Sequence, residues 1–375
     1  MASGKLLFTP GPLSTSETVK QATLRDLGSR DAEFLSLVEK IRRRLLEVGH
    51  VADGSYEAVL MQGSGTFAVE SVLSSVISNN GKLLVAINGA YGHRIAKIAT
   101  MLKISCETID FGEAAPVSAE PLRAVLARDS TVTHVATVHC ETSTGILNPI
   151  AELGRVVHES GRIFIVDAMS SFGGIPIDVA ENHMDFMVSS ANKCIQGIPG
   201  FGFVLARRDL LQASEGCARS LSLDLLAQWK GLESDGQFRF TPPTHALLAF
   251  WQALHELKQE GGVEARASRY AANQRELMSG MTKLGFDAYL APEHQSHIIT
   301  SFRVPGDQRF DFSAFYQRLS ELGFVIYPGR VSNADCFRIA TIGHIFPNNV
   351  QDLVAAIQLV LVEMQVGSAH AINYA

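Results

Sequence analysis

Cysteine is scarce in this chain. Five occur in 375 residues, at Cys106, Cys140, Cys194, Cys217 and Cys336. Their odd number, their scatter and the lack of any C-x-x-C pair argue against a disulfide framework or a zinc site and point to a reducing compartment. Runs of one charge are also missing. The formal net charge is −6, and with no Lys/Arg cluster there is no electrostatic footprint for nucleic acid or an anionic membrane surface. No apolar run approaches the length of a membrane span. The three apolar residues Leu6-Leu7-Phe8, ahead of the turn Thr9-Pro10-Gly11-Pro12, are too few for a secretory signal core. A cytoplasmic protein is expected. There is no internal repeat, no low-complexity segment and no G-x-x-x-x-G-K-[ST] nucleotide loop.

What is present is apolar residue, 46% of the chain, against 19% charged. A chain of this length buries an ample core and suggests two or three domains. Short runs rich in β-formers alternate with helical patterns. Strands are expected at Ala58–Met61, Leu83–Ile87, His134–Val138, Ile163–Val166, Phe186–Ser189 and Gly202–Leu205. Most are apolar without alternation, as in strands covered on both faces. Helices are expected between them, as at His93–Leu102 and Ile150–Ser160. This order predicts an α/β fold with a mostly parallel sheet. A long helix follows at Thr244–Glu260, with Leu247, Leu248, Trp251, Leu254 and Leu257 on one stripe, and Gly261-Gly262 breaks it. Beyond lie a strand at Ile298–Phe302, a helix at Phe312–Leu322, strands at Val325–Tyr327 and Cys336–Ala340, and a helix at Asn349–Gln365. The expected division is an arm over residues 1–15, a large domain over 16–262 and a smaller α+β domain over 263–375.

Three features carry chemistry. Gly63-Ser64-Gly65-Thr66 follows a strand and opens a helix whose buried face holds Val69, Val72, Leu73 and Val76. Glycine N–H groups, the helix N-terminus and two hydroxyls suit a phosphate, although an ordinary capped turn reads the same way. The loop also fits the loose dinucleotide pattern G-x-G-x-x-A. That pattern wants an acid about 20 positions on, at the end of the next strand, and Ile87-Asn88-Gly89 offers none. A single phosphate fits better. Second, Asp167 ends the apolar strand Ile163-Phe164-Ile165-Val166, where parallel sheets place ligands. A buried Asp needs a partner; a protonated pyridine nitrogen is one, a capped turn at Ala168–Ser171 another. Third, Lys193 follows the next strand among small residues, ahead of Gly197-Ile198-Pro199-Gly200. Desolvation there lowers an amine's pKa and makes it a nucleophile and proton carrier. Taken singly, each feature has a bland reading. Together they stand in the order that pyridoxal 5′-phosphate (PLP) chemistry uses.

The chain resembles the class V, small-subgroup PLP aminotransferases of fold type I. The resemblance runs through Leu7–Leu13, Gln62–Gly65, Asn88–Gly92, Glu141–Pro149, Asp167–Gly174, Ser189–Gly197, Ser220–Asp224 and Cys336–Ile339. Within the family, the stretches Ser189–Gly197 and Ser220–Asp224 favour the branch with a phosphonate donor over the alanine–glyoxylate and serine–pyruvate branches. The resemblance implies a role for each matching residue. Lys193 carries the cofactor as a Schiff base. Ser64, Gly65 and Thr66 hold its phosphate, with the amide of Asn192 within reach. Tyr91 stacks on the ring, Thr142 hydrogen-bonds its phenolic oxygen and Asp167 pairs with its nitrogen. Thr241 reaches the phosphate of a neighbouring subunit, so a homodimer with shared sites is implied. Arg338 receives the acidic group of small anionic amines and keto acids. A planar guanidinium fork suits carboxylate and phosphonate alike, so Arg338 alone does not separate them. No metal is implied.

Overall fold

The computed structural model describes residues 4–331 and 334–366. One sheet has seven strands: β1 (Tyr56–Gln62), β2 (Lys82–Ile87), β3 (Ser105–Asp110), β4 (Val132–Val138), β5 (Ile163–Asp167), β6 (Phe186–Ser190) and β7 (Phe201–Arg207). Their order across the sheet is β1-β7-β6-β5-β4-β2-β3. β7 runs antiparallel to both its neighbours, and the other pairings are parallel. All the strands but β3 are buried almost throughout, the edge strand β1 included, which is why their sequences run apolar without alternation.

Each strand expected in this region forms, one or two residues longer at one end or at both. The sequence reading gives no strand at Ser105–Asp110. This is the edge strand β3, half exposed along its length, and its mixed Ser-Cys-Glu-Thr-Ile-Asp sequence suits an edge where charge deters further pairing.

Helices α1 (Ala32–Val48), α2 (Gly65–Val76), α3 (Ala90–Met101) and α4 (Thr244–Glu260) pack around the sheet, and α4 leads directly into α5 (Gly262–Lys283). Gly261 ends α4 at φ +109, a left-handed cap that glycine adopts without strain. On α4, Leu247, Leu248, Leu254 and Leu257 are buried as expected, and Trp251 is only partly so.

A second sheet, of strands β8 (Ile299–Arg303), β9 (Tyr327–Val331) and β10 (Ala334–Ala340), is antiparallel with β10 in the centre. The single strand expected at Val325–Tyr327 is instead two elements. Phe324–Val325 pairs in parallel with Leu6–Leu7, and β9 starts afresh at Tyr327. The C-terminal helix α6 spans Pro347–Glu363. The apolar side chains form one large core between Val19 and Val263, and a second that joins Phe8 to residues from Leu277 to Val366.

The site follows from strand direction. β1, β2, β4, β5 and β6 all run the same way, so the segments that leave them emerge at one edge. These are Gly63-Ser64, Asn88–Ala90, His139–Glu141, Ala168–Met169 and Ala191–Lys193. The register fixes this alignment: Val138 sits beside Asp167, Asp167 beside Val188, and Gly202 beside Ser190. Ligands bind at this carboxyl edge in open α/β sheets.

Candidate active site

A cavity of about 200 Å³ opens at that edge, lined by Ser64, Gly65, Thr66, Tyr91, Asp167, Asn192 and Lys193 among others. Ser64 is the N-cap of α2 but makes no side-chain hydrogen bond to its own helix. The first turn of a helix has open N–H groups and partial positive charge, and here that turn lines the cavity. Gly63, at φ +107, turns the chain between strand and helix. Gly65 has no room for a side chain, because a Cβ would run into Met169 Sδ. The result is a small, donor-rich cradle open to an anion.

Asp167 ends β5 with 6% exposure, and its Oδ1 accepts a hydrogen bond from Met169 N at 2.9 Å. Burial pushes its carboxyl up to about 6, and the Met169 N–H and the charges of Lys193 and Arg94 act against that rise. It is thus a buried carboxyl with one backbone donor, near the charges of Lys193 and Arg94. Lys193 Nζ donates to Pro10 O at 3.0 Å. Burial lowers the pKa of its amine from the usual lysine range, with Arg94 and Arg338 pushing the same way and Asp167 opposing. A buried amine of this kind is a stronger nucleophile at neutral pH than a surface lysine.

Tyr91 is held in place by Glu141. Glu141 is fully buried, and its Oε2 accepts from Tyr91 N at 3.1 Å and Gly92 N at 3.3 Å. Its Oε1 accepts from Ser143 Oγ at 2.6 Å. A carboxylate on the open N–H groups of α3 is favourable, and it fixes the turn from which Tyr91 projects. Burial raises the Glu141 pKa while these donors oppose it. The guanidinium of Arg94 lies 4.6 Å from the centre of the Tyr91 ring, and its Nη1 donates to Thr66 Oγ1 at 3.4 Å.

Arg338 comes from the centre of the second sheet. Its Nη1 donates to Thr142 O at 2.7 Å and its Nη2 to Pro328 O at 3.0 Å, and its guanidinium lies 4.8 Å from the Tyr327 ring centre. Nε is buried and has no hydrogen-bond partner among the described residues. Gly329 makes space for it, since a Cβ there would stand 2.7 Å from Nε. Arg338 is not among the residues that line the cavity; its Nη1 and Nη2 each keep a second N–H with which a guanidinium can take an anion.

The structure thus brings Ser64, Gly65, Thr66, Tyr91, Asp167, Asn192 and Lys193 onto one surface. Thr142 is buried behind it and joins through its carbonyl. Thr241 stands apart, exposed, with its carbonyl near Gln62 Nε2 at 3.4 Å. Sequence reasoning missed Gly11, Arg94, Met169 and Ser190, which also line the cavity. Arg94 had a findable signal, lying three residues after Tyr91 and so on the same helix face. Gly11 had one in the Pro-Gly-Pro turn. Met169 and Ser190 had none beyond their neighbours in sequence.

The donor set suits an anionic, aromatic cofactor with an electrophilic carbon and a basic ring nitrogen. The helix N-terminus could hold such an anion, Tyr91 the face of a ring, Asp167 a basic nitrogen and Lys193 an electrophilic carbon. No group of three or more His, Cys, Asp or Glu is placed to hold a metal ion among the described residues. No helix among them is long and apolar enough to cross a membrane.

Comparison with known proteins bears on the fold and the family. The model of the aminotransferase class-V family matches residues 14–327. The 2-aminoethylphosphonate–pyruvate transaminase of Vibrio vulnificus (strain CMCP6) is 54% identical over 360 residues, 96% of this chain and 98% of that protein. The protein of that name from Syntrophobacter fumaroxidans is 54% identical over 352 residues, 94% of this chain and 95% of that one. Among solved structures, ureidoglycine–glyoxylate aminotransferase from Bacillus subtilis superposes with a TM-score of 0.89 at 22% identity, covering 98% of this chain and 95% of that one. Alanine–glyoxylate aminotransferase from Nostoc sp. gives 0.88 at 25% identity, with 96% of each chain covered. The architecture is that of the fold type I aminotransferases, and the chain belongs to the class-V aminotransferase family.

Proposed function

We propose that this protein is a PLP-dependent transaminase that moves the amino group of 2-aminoethylphosphonate to pyruvate, giving phosphonoacetaldehyde and L-alanine. One observation carries the chemistry: Lys193, Asp167 and the N-terminus of α2 line a single cavity. The choice of donor is supported by relatives of that name at 54% identity over nearly the whole chain.

Bound PLP supplies an aldehyde carbon that takes the amino group and a ring that accepts the electron pair left when the donor carbon loses its proton. The protein supplies the rest. Ser64, Gly65, Thr66 and the α2 dipole bind the phosphate, with Asn192 and, from the neighbouring subunit of a homodimer, Thr241 completing the cradle. Tyr91 would lie against the ring, and Thr142, buried behind the cavity surface, would have to reach the phenolic oxygen from there. Asp167, ionised at neutral pH, holds a proton on the ring nitrogen and so keeps the ring electron-poor. Lys193 would hold the cofactor through its Nζ and, when free, would move the proton at the reacting carbons. Arg338 grips the acidic end of either substrate, so both small anions use one site in turn. The unpaired cysteines accord with a cytoplasmic enzyme.

The test is turnover. Purified protein with PLP, 2-aminoethylphosphonate and pyruvate is expected to form L-alanine. Serine with pyruvate and alanine with glyoxylate, run beside it, cover the other members of the family. Absence of alanine from the phosphonate, with turnover of serine or alanine, overturns the donor assignment.

A further inference from the structure

The reaction leaves unexplained a set of charged and polar side chains that the fold buries beneath Lys193. Arg266, Arg269, Tyr270 and Asn273 fall on one face of α5, at spacings of three and four residues. Arg266 is only 2% exposed, and Tyr270 and Asn273 are fully buried. Burying such groups is unfavourable unless each finds a partner, and here they find two sets of backbone carbonyls.

The first set directly follows Lys193. Arg266 Nη1 donates to Cys194 O at 3.1 Å and to Ile195 O at 3.2 Å, and Tyr270 OH donates to Cys194 O at 3.1 Å. The second set directly follows β10, the strand that bears Arg338. Arg269 Nη1 donates to Gly343 O at 2.9 Å and Ile345 O at 2.7 Å, and Asn273 Nδ2 donates to Thr341 O at 3.0 Å and Ile345 O at 2.9 Å. Glu260, at the end of α4, links the two arginines, 2.9 Å from Arg266 Nε and 2.7 Å from Arg269 Nε.

Two further groups cross between the sets. Gln196, held at φ +70, donates from Nε2 to Tyr270 OH at 2.6 Å and to Gly343 O at 2.9 Å. Gly343 N donates to the same hydroxyl at 3.2 Å. The Tyr270 oxygen is therefore the node at which the Lys193 loop and the loop after Arg338 meet.

We propose that this stripe is a positioning device that sets the separation of Lys193 from Arg338, and so the length of donor that fits between the reacting amine and its acidic group. The proposal rests on the functional reading above for the roles of those two residues. A buried network in which every donor named above is bonded is stiff, Asn273 Oδ1 being its one buried atom without a partner among the described residues, and a misplacement of about 1 Å at a reacting centre costs about 10²-fold in rate. Arg266, Arg269, Tyr270 and Asn273 act through the two loops they hold, without themselves lining the cavity.

The experiment compares donors that differ by one methylene. In wild-type holoenzyme, kcat/KM is measured for 2-aminoethylphosphonate and for 3-aminopropylphosphonate, with pyruvate as acceptor. Tyr270→Phe removes only the shared oxygen. The expected result is a fall of about tenfold in the ratio of the two kcat/KM values, carried mainly by KM for the shorter donor, with PLP content unchanged. Arg269→Gln, which releases the loop after Arg338 and the link to Glu260 but leaves the bonds to Cys194 and Ile195 in place, is expected to move the ratio the same way and serves if Tyr270→Phe does not fold. Equal losses for both donors, or a loss of thermal stability with an unchanged ratio, overturn the proposal. If wild-type protein ignores the phosphonate but transaminates L-alanine, the functional reading fails separately. The same variants are then read by their L-alanine to β-alanine ratio, with the same two outcomes.

Discussion

Lys193 Nζ donates to the carbonyl of Pro10 across 183 positions of sequence, at 3.0 Å. The next residue, Gly11, has φ +131, and a Cβ there would lie 2.7 Å from Lys193 Cδ and 2.9 Å from both its Nζ and Asn192 O. The N-terminal turn is thus part of the wall that aims the lysine. Gly11→Ala is expected to displace the amine and lower kcat by about 10²-fold, while the strained backbone costs about 1–3 kcal/mol of stability. Steady-state kinetics and thermal melting check both, and a kcat within twofold of wild type would show that the turn does not aim Lys193.

That contact marks where the sequence stops being legible. Asp167, Lys193 and the Gly63–Thr66 loop could be found because each ends a strand of the parallel sheet, and apolar runs make such strands visible. Their meeting follows from strand direction and the carboxyl-edge rule. Contacts made by backbone atoms leave no such trace. Nothing about Pro10 or Thr142 as residue types announces that their carbonyls hold Lys193 and Arg338. Edge strand β3 escaped because an edge does not need an apolar pattern. Arg266 and Tyr270 escaped because a buried polar stripe on a helix reads in sequence as its solvent face.

Asp167 makes stability depend on pH in a stated direction. Its carboxyl rises from 3.8 to about 6 in the cofactor-free fold because burial disfavours the charge. A raised folded pKa means that its contribution is fully favourable below the unfolded value, near 4, and is lost as pH rises through about 6. The loss amounts to about 3 kcal/mol at most. Cofactor-free Asp167→Asn protein is therefore expected to be the more stable of the two at pH 8, with the gap closing by pH 4. Denaturant melts at the two pH values measure this. With PLP present, the same variant is expected to lose turnover by about 10²–10³-fold, the scale of removing one charge-stabilising group from an active site. A variant less stable than wild type at pH 8 without cofactor would contradict the burial argument.

Arg338 has two donors occupied by carbonyls and a buried Nε with no partner among the described residues. Nη1 and Nη2 each keep a second N–H, and it is this fixed, charged pair, not the buried Nε, that an acidic substrate would meet. Hydrogen bonds to charged groups contribute about 1.5–3 kcal/mol, so Arg338→Ala is expected to lower kcat/KM for the acidic donor by about 10–150-fold. Arg338→Lys keeps the charge but not the fork, and is expected to recover only part of the loss. Similar kcat/KM for Arg338→Ala and wild type would remove Arg338 from substrate binding.

Lys193 is assigned two tasks, and a variant can separate them. Lys193→Ala removes both the covalent attachment of PLP and the proton carrier, while the α2 cradle, Tyr91 and Asp167 remain to bind the cofactor. Retained PLP with altered visible absorbance is therefore expected, together with a fall in turnover of about 10²–10⁴-fold, the range for a positioned acid–base group. A small amine such as methylamine fits the space the side chain leaves and carries a proton. Added methylamine is expected to restore part of the rate, in proportion to its unprotonated fraction and so increasingly toward high pH. Lys193→Arg, which keeps a cation that does not deprotonate in this range, is expected to stay inactive without amine. Near-wild-type turnover in Lys193→Ala would refute the assignment outright. Loss of PLP together with loss of fold would instead place the lysine in the architecture of the cavity wall, where its contact with Pro10 already lies.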